Sequence, residues 1–206
     1  METLVRLLAE IKPMIEPYCR VNRVIRDIPA HHVVAGNTRS SLRMDIQQLM
    51  KEQGTRCRCI RCREIRGQKV SPEELLLNDY RYRAAYADEH FLQFVTEDDR
   101  LAGYLRLSIP DGMGADAPIG ELRGCALIRE VHIYGQSLPV GTEQSGAAQH
   151  IGLGSRLIEE ACGLASSLGF ERIAVIAAIG TRRYYESRGF CRGEYYLLRN
   201  LGKIRE

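Results

Sequence analysis

The sequence predicts an α/β fold of the α+β kind, and three observations carry that expectation. Three β-rich runs between residues 75 and 110 are separated by short turn signals, as antiparallel neighbours are. After them the order becomes strand, glycine loop, helix, strand, helix, strand, which places a ligand loop at the strand ends of a sheet. The first 70 residues read differently, as helices around a cluster of cysteines and arginines, so two domains are expected, 1–70 and 71–206.

Leu4, Leu7, Leu8 and Ile11 recur at helical spacing, and the run stops at Pro13. YCRVNRVIRDIP alternates Cys19, Val21 and Val24 or Ile25 with arginines, and reads as a strand or extended segment ended by Pro29. The loop HHVVAGNTRSS leads to a helix from Leu42 to Gln53, with Ser40 or Ser41 as its cap and Gly54 as its stop. A short loop through Gly67 follows the cysteines.

LLLNDYRYRAAYA, HFLQFVTED and RLAGYLRLSIP are the three strand runs, with Asp98 and Asp99 in the turn between the second and third. PDGMGADAPIGELRG is a loop before a fourth run, CALIREVHIYG. VGTEQSGAAQHIGLG is a second loop, and SRLIEEACGLASSLG a helix with Leu157, Ile158, Ala161, Leu164 and Ala165 on one face and Gly169 at its end. FERIAVIAA is a short buried strand, TRRYYESRG a short helix and FCRGEYYLLRNL a last strand. No stretch approaches the roughly 20 apolar residues of a membrane span, and METLVRLLAEIKPMIEP is amphipathic rather than a targeting signal. A cytoplasmic protein without a membrane partner is expected.

The net charge of +3 conceals an asymmetry: residues 1–70 hold 14 Lys/Arg against 7 Asp/Glu, and the remainder 15 against 19. Arginine supplies 25 of the 29 basic residues, and its planar fork grips phosphates at two points. A polyanion is therefore a candidate partner. Seven cysteines without a secretion signal argue for metal or burial rather than disulfides. Cys125, Cys162 and Cys191 sit in apolar surroundings and read as buried small hydrophobes.

Cys57, Cys59 and Cys62 crowd into TRCRCIRC. Three thiolates at CxCxxC spacing can converge on one tetrahedral zinc, with a fourth ligand from elsewhere. Cys19, His31 and His32 are available, and Cys19 is favoured because it belongs to the same connector. The interleaved arginines disfavour an iron–sulfur cluster. Arg56, Arg58, Arg61, Arg63 and Arg66, with Arg20, Arg23 and Arg26, make a candidate RNA surface that a metal would hold rigidly.

A glycine loop entering a helix presents unpaired N–H groups at the positive end of the helix dipole, where anions bind. Gly152 and Gly154 remove side chains where a phosphate would approach the backbone. Glu130, His132 and Tyr134 alternate along REVHIYG and so share one face of their strand. Glu130 and His132 are candidates to activate water, and His132 is equally a hydrogen-bonded core residue. His150 flanks the phosphate loop.

Gln149, Gly152 and Gly154 spell QxxGxG, and further along comes YYESRGF, in which Tyr185 lies four residues before Gly189. Together they resemble the acetyl-CoA signature of the GCN5-related N-acetyltransferase family. The resemblance implies a mixed, mostly antiparallel sheet flanked by helices, with acetyl-CoA as cofactor. It implies that Gln149, His150, Ile151, Gly152, Leu153, Gly154, Ser155 and Arg156 wrap the pyrophosphate. Val131, His132 and Ile133 would line the acetyl-CoA from the preceding strand, with Tyr184 and Tyr185 near the thioester and Tyr185, the tyrosine four residues before Gly189, protonating the departing thiolate. A carboxylate near Glu130 can serve as general base in that family.

A narrower resemblance covers nearly the whole chain. YCRVNRVIRDIP, CRCIRCRE, REVHIYGQSLPVG, QHIGLGSRLIEEA, IAVIAAIGTRRYYESRGF and GEYYLLRNL are similar to the Elongator-type tRNA wobble-uridine-modifying enzymes. That resemblance implies an acetyltransferase domain at 71–206 behind a zinc-bearing connector, with the tRNA anticodon stem-loop as partner. It also implies a radical S-adenosylmethionine domain with a 4Fe–4S cluster preceding this region. CxCxxC does not match the CxxxCxxC of such barrels, so the chain is expected to be part of a longer enzyme, partnered by that domain. There a radical on the acetyl methyl group adds to C5 of the wobble uridine, and thioester hydrolysis leaves a carboxymethyl group. A protein lysine N-acetyltransferase and a catalytically silent tRNA-binding module are the two other readings.

Overall fold

The computed structural model describes residues 2–24, 28–38, 41–66, 70–134 and 152–202. They pack as two compact units, Met1–Glu64 and Ile65–Glu206. Ile65 and Val70 are buried in the core of the second unit, and the Ile65 N–H donates to Leu101 O at 3.2 Å.

In the first unit, α1 (Glu2–Ile11) runs into a 3₁₀ turn, Lys12–Met14, that contains Pro13. The buried stripe of α1 differs from the expected one. Leu7 and Ile11 are exposed, whereas Ala9 is buried with Leu4, Val5 and Leu8 packed beside it. α2 (Leu42–Glu52) buries Leu42, Ile46 and Met50, one per turn, and ends before Gly54, whose φ of +67° suits a residue without Cβ. Ser41 stands at its N-cap without a side-chain cap bond, and Ser40 lies outside the described residues. α3 (Ile60–Arg63), a single turn, lies inside the cysteine cluster.

Of the two readings of residues 18–24, strand or extended segment, the strand does not form. Cys19 O accepts from the Ile60 N–H at 2.9 Å, Val21 O from Arg43 Nη2 at 3.3 Å, and Asn22 O from the Arg61 guanidinium. These carbonyls are taken by one turn and two arginines rather than by a neighbouring strand.

The second unit holds β1 (Leu76–Ala84), β2 (Ala87–Val95), β3 (Leu101–Pro110), β4 (Cys125–Ile133), β5 (Arg172–Val175), β6 (Cys191–Arg192) and β7 (Leu197–Asn200). They form one sheet in the order β1-β2-β3-β4-β5-β7-β6, with β4 and β5 parallel and every other pair antiparallel. α4 (Leu153–Ser167) starts two residues earlier than expected, so Leu153 and Gly154 belong to its first turn. Its buried face, Leu157, Ile158, Ala161, Cys162 and Ala165, joins Phe94, Leu105, Leu107 and Ile128 in one core. α5 (Arg182–Glu186) follows β5. Among the described residues no helix is long and apolar enough to cross a membrane.

The parallel pairing of β4 with β5 ends at Ile128↔Val175. At the same point the β3–β4 register slips, because Arg106 faces Glu130 and Leu107 faces Ile128, leaving Arg129 as a bulge. β4 therefore runs on through Arg129–Ile133 beyond its last partner in β5. The site is built on that stretch.

The expected last strand is two strands. Gly193 N–H closes the turn on Tyr196 O at 2.7 Å, and the Glu121 carboxylate accepts the N–H groups of Glu194, Tyr195 and Tyr196 at 2.9, 2.8 and 3.1 Å. This puts Cys191 on a short, exposed strand instead of in the core, while Cys125 and Cys162 are buried. Glu121→Ala should strip the turn of its acceptor and lower stability by about 1–3 kcal/mol, the scale for losing hydrogen bonds to a charged group. Urea denaturation checks it, and an unchanged midpoint would show the turn to be held otherwise.

Candidate functional site

Gly152 caps α4, and a Cβ there would meet nothing within 4 Å. The first-turn N–H groups of a helix have no intrahelical acceptor, so such an end can take an anion. Gly154 has a different role from the one expected. A Cβ at 154 would collide with Tyr184 Oη and stand 3.6 Å from Ile133 Cγ1. Gly154 is thus the hollow that admits the hydroxyl end of Tyr184 to the start of α4, beside the end of β4.

Arg188 fixes this arrangement, and sequence reasoning passed it over. Its guanidinium lies 3.5 Å from the Tyr184 ring centroid, and Nε and Nη2 donate to Ser155 Oγ at 2.9 and 2.6 Å. The Ser155 oxygen thus accepts twice from Arg188, and its O–H remains a donor. Arg156 stacks on Phe94, 4.6 Å from its centroid. Two guanidinium groups thus stand at the positive end of α4. Tyr185 belongs to the core: it is 8% exposed, edge-on to Phe190 at 5.6 Å, and burial pushes its hydroxyl up. Gln149, His150 and Ile151 lie outside the described residues.

On β4, Glu130 is half-buried and both its oxygens are engaged. Tyr104 Oη donates to Oε1 at 2.5 Å and Arg106 Nε to Oε2 at 3.0 Å. Burial alone would raise the carboxyl, but these two donors outweigh it and hold Glu130 below the ordinary carboxylate range. Tyr104 is pushed up, first by burial and then by its carboxylate acceptor. Such a carboxylate is a weak proton acceptor.

His132 is exposed rather than a core residue, its ring stacked with that of Tyr104 at 5.8 Å and 9° and tilted to Tyr134 at 4.7 Å. Val131 and Ile133 are half-buried against the core. The bulge turns Arg129 to the same face as Glu130, where Nη1 meets the buried Glu89 at 2.9 Å. Strict alternation gave no sign of that.

In the first unit, Cys57, Cys59 and Cys62 place their Sγ atoms within 4.8 Å of one another. Zinc–sulfur bonds of about 2.3 Å at tetrahedral angles need sulfurs roughly 3.8 Å apart, so the donor set fits that ion. The Cys57 and Cys62 thiols hold Cys59 below the ordinary thiol range, while Cys62 is pushed above it by Cys57 and Cys59. Cys19, expected as the fourth ligand, is exposed and outside the group, as are His31 and His32.

Of the arginines nominated for RNA, Arg63 is excluded. It is 4% exposed and donates to Arg58 O at 2.9 Å and Pro17 O at 3.0 Å. Arg20 pairs with Glu64 and Arg61 with Asn22 O. Arg23, Arg56, Arg58 and Arg66 are exposed, and Arg26 lies outside the described residues.

The chain is 39% identical to the tRNA uridine(34) acetyltransferase of Dehalococcoides mccartyi over 91% of its own length, spanning 42% of that protein. It is 39% identical to Elongator complex protein 3 of Drosophila melanogaster over 91% of its length, spanning 35% of that relative. The archaeal Elp3 of Methanocaldococcus infernus superposes with a TM-score of 0.81 at 30% identity, covering 95% of this chain and 47% of that one. Residues 56–190, more than half the sequence, match the Acetyltransferase (GNAT) family as a whole. The chain belongs to the acetyltransferase (GNAT) family.

Proposed function

We propose that this chain binds acetyl-CoA at the N-terminus of α4 and serves the C5-carboxymethylation of the tRNA wobble uridine, opening the thioester when tRNA is present. The observation that carries the acetyl-CoA part is the Tyr184 hydroxyl set into the hollow of Gly154, between the start of α4 and the stretch of β4 that runs on past β5. The tRNA part is supported by the relatives' names and by the exposed Arg23, Arg56 and Arg58 of the unit that carries the three thiols.

The first-turn N–H groups of α4, with Arg156 and Arg188 nearby, take the pyrophosphate. Val131 and Ile133 line the pantetheine arm. Acetyl-CoA supplies an acetyl group activated as a thioester. Water adds to its carbonyl carbon, the carbon–sulfur bond breaks, and Tyr184 Oη gives its proton to the leaving sulfur, with free CoA and the acid as products. Glu130, kept ionised by Tyr104 and Arg106, holds Tyr104, whose ring stacks on His132, and His132 receives the proton of the water. Cys57, Cys59 and Cys62 hold zinc as a structural cross-link. The radical step at the acetyl methyl belongs to a radical S-adenosylmethionine domain acting as partner, and none of it is assigned to these residues.

Release of CoA from acetyl-CoA, measured with and without an anticodon stem-loop, tests the proposal. Release that rises with the RNA supports it; acetyl transfer to a lysine-bearing protein, indifferent to RNA, would replace it with a lysine N-acetyltransferase, and salt-sensitive RNA binding without any CoA release would leave a silent tRNA-binding module. Gly152→Glu should weaken acetyl-CoA binding at least about a hundredfold by setting a carboxylate in the phosphate's place. Calorimetric titration with unchanged affinity would move the pyrophosphate elsewhere.

A further inference from the structure

Lys12 continues the buried stripe of α1 with a cation where an apolar residue is expected. It follows Leu8 and Ala9 at helical spacing and is 2% exposed. Lysine is almost never buried so far unless paired. No carboxylate pairs with it among the described residues; its ammonium donates to Cys62 Sγ at 3.9 Å. Three thiolates with a divalent cation carry one excess negative charge, and an uncompensated charge in a protein interior is costly. The buried ammonium and the excess charge cancel.

We infer that Lys12 is the charge partner of the metal centre, its buried ammonium neutralising a three-thiolate divalent site through the Cys62 sulfur. This rests on the reading of the three cysteines as a metal site. The remaining coordination position then takes a neutral donor, because with a fourth thiolate the Lys12 ammonium alone would no longer neutralise the site. The exposed Cys19, outside the sulfur group, agrees.

The test is the zinc affinity of the full chain, by competition with a chromophoric chelator, together with the thiolate charge-transfer bands of the cobalt(II) form. Lys12→Met should bind zinc about 10- to 100-fold more weakly, the usual cost of losing a partner behind the ligands, while Lys12→Arg stays near the wild type. Cys19→Ser should change neither affinity nor the cobalt bands. Lys12→Gln gives the same comparison if the methionine variant does not fold. Three results would overturn the inference: neutral variants that bind as the wild type does, Lys12→Arg falling as far as Lys12→Met, or Cys19→Ser losing a thiolate band. A wild-type chain that takes up neither zinc nor cobalt would instead sink the metal reading itself, and this inference with it.

Discussion

Tyr184→Phe is expected to slow CoA release from acetyl-CoA by about a hundred- to ten-thousand-fold, the range for losing a positioned general acid, with acetyl-CoA affinity little changed. The ring would stay where it is, because Arg188 stacks on it and Ile133 stands across the Gly154 hollow. What goes is one hydroxyl, the one set into the Gly154 hollow. Tyr185→Phe serves as the control. Its ring is locked edge-on to Tyr184 and Phe190 in the core, so its loss of a hydroxyl should leave turnover within a few-fold. Gly154→Ala should reproduce the Tyr184→Phe defect by pushing the hydroxyl out of its hollow, without changing any charge. A thiol-reactive dye follows the CoA released, and calorimetry follows the binding. A large defect in Tyr185→Phe alone would transfer the acid to Tyr185 and sink the assignment.

The tyrosine pair shows where sequence reasoning stops. YYESRGF marks both tyrosines, but which one reaches the site depends on the glycine that makes room, 30 positions upstream in the first turn of α4. The strands β1 to β5 were legible because each is a β-rich run bounded by turn residues, a purely local signal. The split of the last strand was not, since the acceptor for its turn is Glu121, far back in the chain. Nor was the fate of residues 18–24, whose alternation looks like a strand until Arg43 and Arg61 claim their carbonyls. Charge patterning placed Arg63 on an RNA surface, although it is buried among the Arg58 and Pro17 carbonyls. The convergence of the three sulfurs was legible because it follows from CxCxxC spacing, and spacing is written in sequence. Lys12, which faces that site, is not: nothing local distinguishes it from a solvated lysine.

Chelating the proposed zinc should unfold the first unit and spare the second. The buried apolar cluster of the first unit consists of Ala9, Leu42, Ile46, Met50, Cys57 and Cys59, so two of its members belong to the converging sulfur group. A segment of this size buries too little to be stable by itself and usually needs a cross-link. Structural zinc supplies apparent binding free energies of about 10 to 16 kcal/mol in small zinc domains, and that energy is folding energy. The core of the second unit, from Phe94 and Leu105 through Ile128 to Leu157 and Ala161, contains none of the three thiols. After chelation, amide exchange should therefore accelerate by orders of magnitude across α2, at Ile46 to Met50, while β2 and β3 keep their protection. Cys59→Ser, which sets a hydroxyl into a fully buried position, should give the same pattern without a chelator. Protection of α2 that survives verified metal loss would mean that Leu42, Ile46 and Met50 hold the unit unaided, and that the three sulfurs converge for some purpose other than its stability.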